Sequence, residues 1–118
     1  MGKAKLAVSD YHGRHSLLQG FARRMQSKRS SCIEVNMVTL DSVLTSEDHI
    51  DVIKIDVEGA EPLVLEGAKE VLKRTDFVIV EASLKSSFYR SSAILAKYSF
   101  KPLKKADFNM IFIKNRSN

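Results

Sequence analysis

Residues 51–56 (DVIKID) carry apolar side chains at Val52, Ile53 and Ile55, on both sides of an extended chain. That pattern suits a strand covered on each face, as in a parallel sheet. A helical stripe follows almost without a loop. Pro62 suits a first helical position, Leu63, Val64, Leu65, Ala68, Val71 and Leu72 form the apolar face, and Lys73 and Arg74 end it where the helix dipole favours cations. The spacing predicts one helix over 62–74. Residues 77–80 (FVIV), ending at Glu81, form a second apolar strand, and 86–98 read as another helix. Residues 100–105 and 110–114 (MIFIK) are two further strands, close enough for a hairpin.

Upstream, residues 33–40 (IEVNMVTL) set Ile33, Val35 and Met37 against Glu34, Asn36 and Val38, the alternation of a half-buried strand. Asp41 is then placed to cap a short helical turn through Val43 and Leu44. Residues 5–9 (KLAVS) predict a short strand, 10–13 (DYHG) a turn, and 14–18 a returning strand. From residue 51 onward the order is strand, helix, strand, helix, strand, strand. This is an α/β layout with parallel crossovers and an antiparallel end.

Ligands of such sheets bind beyond the carboxyl ends of the strands, and Asp56 and Glu81 both fall there. The turn after the first of these strands reads DVEGAE, with Asp56, Glu58, Gly59 and Glu61 in six positions. Each acid has an ordinary reading. Glu61 suits the positive end of a helix, Glu58 an exposed turn, and Asp56 a pair with Lys54. Lys54 lies inside an apolar strand, where an unpaired ammonium is costly. It is therefore expected to be at least partly buried and within reach of Asp56 or Glu81. Gly59 permits positive φ or a close approach to a ligand. Together these residues describe a candidate site floor.

At 118 residues, 44% of them hydrophobic, the chain is one domain or a piece of one. It has no apolar run of transmembrane length; a basic start without an apolar stretch is no signal peptide, and Leu6 breaks the myristoylation pattern. The single cysteine, Cys32, excludes an internal disulfide and points to a reducing compartment, with the cytoplasm as the default. Lys and Arg outnumber Asp and Glu by 19 to 14, for a net charge of +5. Part of the excess sits in residues 20–31, where Arg23, Arg24, Lys28 and Arg29 meet no acid. This run reads as a solvated loop. It lacks the interleaved aromatics of single-strand binders, so no nucleic-acid partner is expected. His12 and His15 flank the early turn and read as surface residues rather than metal ligands.

The string TLDSVL (39–44), then IDVIKIDVEGAEPLVLEGA (50–68) and FVIVEA (77–82), closely resembles the FkbM family of S-adenosylmethionine-dependent methyltransferases. LAVSDYHG (6–13) is similar to the strand and turn upstream there, and KYSFKPL (97–103) to the family's closing tyrosine-glycine-phenylalanine segment, with Ser99 where glycine is usual. The resemblance implies a Rossmann-like methyltransferase sheet. It is incomplete here: the first two strands and the Gly-rich cofactor loop are missing, and residues 1–118 form a single partial domain. The missing first strand would lie beside residues 51–56, leaving an open apolar edge. By position, the resemblance makes Asp56, Glu58 and Glu81 the catalytic set, and Ser9, Asp10 and Asp56 the cofactor-binding one. The implied cofactor is S-adenosylmethionine. The acceptor is the hydroxyl of a small molecule or glycan, and the acid cluster leaves a divalent metal open. The chain is expected to be inactive alone, completed by an N-terminal half or by a second copy. The alternative is a non-catalytic remnant that binds a partner through an exposed sheet edge.

Overall fold

The computed structural model describes residues 2–8 and 31–116, with side chains from Cys32 onward. The early turn, the strand over 14–18, Ser9, Asp10, His12, His15 and the basic run up to residue 30 lie outside the described residues. Strand β1 (Gly2–Val8) pairs antiparallel with β2 (Ser31–Met37) as a two-stranded ribbon. The alternation that predicts β2 is present, but Ile33 and Met37 remain about half exposed (50% and 47%). Cys32 is exposed.

The second sheet has four strands in the order β3 (Ile50–Ile55), β4 (Thr75–Glu81), β6 (Asn109–Lys114), β5 (Phe100–Ala106). β3 and β4 run parallel, with Ile53 opposite Val78 and Ile55 opposite Val80. β5 and β6 form the expected hairpin, and its second strand inserts antiparallel beside β4. The crossover and the antiparallel end therefore stand as the sequence predicts.

Among the described residues four helices accompany the sheet: α1 (Leu40–Val43), α2 (Glu61–Glu66), α3 (Lys69–Lys73) and α4 (Lys85–Lys97). Leu65, Val71, Leu72 and Leu95 from the helices close over Ile55, Val78, Val80, Phe100 and Phe112 of the sheet. All of these are buried. No helix of the described residues is long and apolar enough to cross a membrane.

Two expectations are corrected. The helix expected over 62–74 is two short helices, broken at Gly67 and Ala68. The break has a local cause. A Cβ on Gly67 would lie 2.9 Å from Thr39 Cβ and Cγ2, and the Asp41 N–H donates to Gly67 O at 3.0 Å. The Asp41 carboxylate then accepts from the N–H groups of Glu70 (3.0 Å) and Val71 (2.9 Å), capping α3 from a distant part of the chain. Thr39 Oγ1, not Asp41, caps α1 by accepting from the Ser42 N–H.

The second correction concerns β3. It lies at the edge of its sheet, and only one of its faces is covered among the described residues. Val52 is 51% exposed and Lys54 is exposed, with no ion pair to an acid among the described residues. Alternation puts both on the face opposite the buried Ile55. Phe77, Ile79, Ile111 and Ile113 continue that face across the sheet and are half-buried. The expected Lys54 pairing fails because nothing covers its side of the strand.

Candidate active site at the carboxyl edge

The parallel pair β3 and β4 delivers Asp56 and Glu81 to one end of the sheet, and the turn between β3 and α2 brings a third acid to them. Carboxylate oxygens of Asp56, Glu61 and Glu81 lie within 4.8 Å of one another. The three differ in role. Glu61 is 1% exposed and bends back to the turn, where its oxygens accept the N–H of Val57 at 3.1 Å and of Gly59 at 3.0 Å. Its charge is thus spent on backbone donors, which compensates for burial.

That grip holds an uncommon backbone. Glu58 takes φ +53° and Gly59 φ +100°, two consecutive residues in the left-handed half of conformational space. Glycine adopts this freely, and glutamate at a cost of about 1–2 kcal/mol. Ser87, near the start of α4, donates to Gly59 O at 2.8 Å and ties the turn to the next helix. The turn is held from both sides.

Asp56 is exposed and Glu81 half-buried. Burial pushes the Glu81 carboxyl above its usual range, and a hydrogen bond from Ser83 draws it partly back. The charges of Asp56 and Glu58, with a hydrogen bond to Asp56, push it up again. The charge of Asp56 so near at hand opposes ionisation of Glu81 and adds to the effect of burial. The result is an acid pair suited to exchanging a proton with a hydroxyl.

Asp56, Glu58 and Glu81 are therefore brought together, as their positions predict. Glu61, read from the sequence as a dipole residue, is instead the clamp of the turn. A carboxylate at a first helical position, two residues after a glycine, is a recognisable signal for such a reach-back. As a metal site the cluster offers Asp56 and Glu81, since Glu61 is already engaged. Oxygen ligands of this kind suit a hard divalent cation.

A second group, His49, Asp51 and Asp76, sits at the opposite end of the same strands. His49 Nε2 lies 2.7 Å from Asp76, and Arg116 also pairs with Asp76. The hydrogen bond to His49 is the main cause holding the Asp76 carboxyl below its usual range. A guanidinium on one of the three groups makes this an ion-pair network rather than a cation site.

Compared with known proteins, residues 1–111 match the family model for the methyltransferase FkbM domain. No curated protein and no solved structure matches the chain. The match covers the β1–β2 ribbon, β3 to β5 and the first residues of β6, with the acidic turn and the segments around Thr39 and Gly67 that pack together. By this match the chain belongs to the FkbM methyltransferase domain family.

Proposed function

We propose that these residues form the acceptor side of an S-adenosylmethionine-dependent O-methyltransferase. The observation that carries this is the close pair of Asp56 and Glu81 at the carboxyl edge of the parallel strands, with the Glu81 carboxyl raised above its usual range. The cofactor, when bound, supplies an electrophilic methyl group on a sulfonium. Carboxylates suit both that cation and the hydroxyl that receives the methyl. Asp56 orients the acceptor hydroxyl, and the pair takes its proton as the new C–O bond forms. Glu58 borders the same pocket, its charge keeping the pair basic. Ser9 and Asp10 stand as further cofactor contacts on the family pattern.

The fit is one-sided. The N–H groups of Val57 and Gly59 are already taken by Glu61, so these two donors are closed to the cofactor's own carboxylate. The five glycines of the chain form no Gly-rich loop that would supply others. We infer that the loop comes from an N-terminal half or another chain, and that these 118 residues are inactive without it. The acceptor is a small-molecule or glycan hydroxyl, and the single exposed cysteine fits a cytoplasmic setting.

Calorimetry with S-adenosylmethionine tests this. The isolated chain is expected to bind at millimolar concentration or weaker, because two or three charge-assisted hydrogen bonds at about 1.5–3 kcal/mol each are missing. Supplying the loop-bearing half should bring binding into the micromolar range. Micromolar binding by the isolated chain would overturn the reading.

A second reading rests on the half-open sheet. Val52, Phe77, Ile79, Ile111 and Ile113 offer apolar surface beside an unpaired edge strand, which suits a non-catalytic partner-binding role. That reading expects a stable complex, seen by light scattering, with no cofactor binding in any combination.

A further inference from the structure

An open cavity of about 410 Å³ lies at the end of the sheet away from the acid pair. It is framed by the last residue of α3, the end of α4 and the end of β6, which runs antiparallel to β4. Its lining includes Lys73, Lys97, Lys114 and Arg116, with Ser99 and Asn115, and contains no carboxylate. We propose that this cavity is a binding site for a phosphate monoester, such as the phosphate of a small sugar phosphate.

The charge balance supports a dianion. Two of the four cations have acidic neighbours outside the lining: Lys73 pairs with Glu70 at 2.7 Å, and Arg116 with Asp76. Two positive charges are left over, matching a monoester that carries about −1.5 to −2 at neutral pH. Volume also fits, since small-molecule sites begin at roughly 300 Å³.

The helix ends here would ordinarily repel an anion, because their unpaired carbonyls carry negative partial charge. Lys114 removes that obstacle. Its Nζ donates to Leu72 O at 2.6 Å and Tyr98 O at 2.9 Å, and rests 4.3 Å from the centre of the Phe100 ring. Burial, and next the charge of Arg116, hold its ammonium below the usual lysine range. An anion lodged between Lys114 and Arg116 would relieve that repulsion. Lys73 and Lys97 are exposed at the rim, where Lys97 can close on a ligand, and Lys73 can exchange its surface pairing with Glu70 for one, without disturbing the core.

The test is amide NMR of the isotope-labelled 118-residue chain at low ionic strength. It is titrated with inorganic phosphate, glucose 6-phosphate, glucose and a short single-stranded oligonucleotide. Expected are saturable shifts at Ser99 and Asn115 with either phosphate and none with glucose. In the double variant K73Q/K97Q, binding should weaken by about tenfold or more. Its melting temperature should stay unchanged, since both side chains are exposed. Absence of saturable shifts, equal shifts with glucose, unchanged affinity in the variant, or binding of the oligonucleotide alone would each overturn the proposal.

Discussion

Two glutamates at one edge of the sheet, Glu61 and Glu81, solve burial in different ways. Glu61 turns both its oxygens to backbone N–H groups, while Glu81 keeps its proton longer than an ordinary carboxyl. The second choice has a sign that can be measured. A carboxyl whose pKa is raised on folding stabilises the fold fully below its unfolded value of 4.5, and that contribution is lost as pH rises through the raised folded value. Urea denaturation of the parent and Glu81→Gln chains across pH 4–8 should therefore diverge, the parent losing stability relative to the variant as pH climbs past about 4.5. Parallel pH profiles would deny the raised Glu81 carboxyl. Ser99 gives a second prediction. It sits at φ +69°, the left-handed region that explains why glycine is usual at this point of the family pattern. Ser99→Gly should stabilise the chain by roughly 0.5–1 kcal/mol, the left-handed strain less the entropy of glycine. Thermal melting checks it. Legibility at this scale was uneven: the motif gave away Asp56 and Glu81, but Glu61 and Lys54 had to be seen. Their fates depend on which way a turn bends and which face is covered, and neither is written in residue type.

The elements were mostly readable because their apolar periods are strong: both parallel strands, α4 and the β5–β6 hairpin fall where the pattern puts them. The pattern failed at 66–69, where helical spacing runs on through a break. No periodicity could reveal that a threonine from another segment presses against Gly67. The contact makes a specific demand on sequence. Gly67→Ala should cost about 1–3 kcal/mol, because the new methyl meets Thr39 rather than open space. Thr39→Ser keeps the capping hydroxyl and removes Cγ2, so Gly67→Ala should cost less in that background. Chemical denaturation of the four chains in this cycle measures the coupling, and strict additivity would mean that Gly67 is needed for another reason. Asp41 belongs to the same device. Its carboxylate, read from the sequence as the cap of its own helix, starts a helix about thirty residues away.

At the scale of the molecule, chemistry divides between the two ends of one sheet. Carboxylates gather where β3 and β4 finish, and cations gather at the other end around Lys114. The sheet lies between a packed helical layer and a face that is only half covered among the described residues. The sequence promised strands covered on both sides, because Val52 and Ile53 alternate as such strands do. Apolar residues on a strand show that a face wants covering. They do not show that this segment of chain is what covers it.

The strand order β3, β4, β6, β5 has a consequence for how the chain is made. Among the described strands, the one made last is an interior strand of the sheet, lodged between β4 and β5. Until residues 109–114 emerge, β5 has no neighbour and β4 is paired on one side only. Phe112, fully buried opposite Val78, arrives last of all the core side chains. A chain stopped after Ala106 should therefore fail to assemble the four-stranded sheet, though it carries most of the apolar residues. Its amides should exchange with solvent far faster than those of the full chain, and slow exchange in β4 of the shortened chain would contradict this. Synthesis is thus coupled to a late commitment, in which these strands stay open, and exposed to chaperones, until residues 109–114 close the sheet.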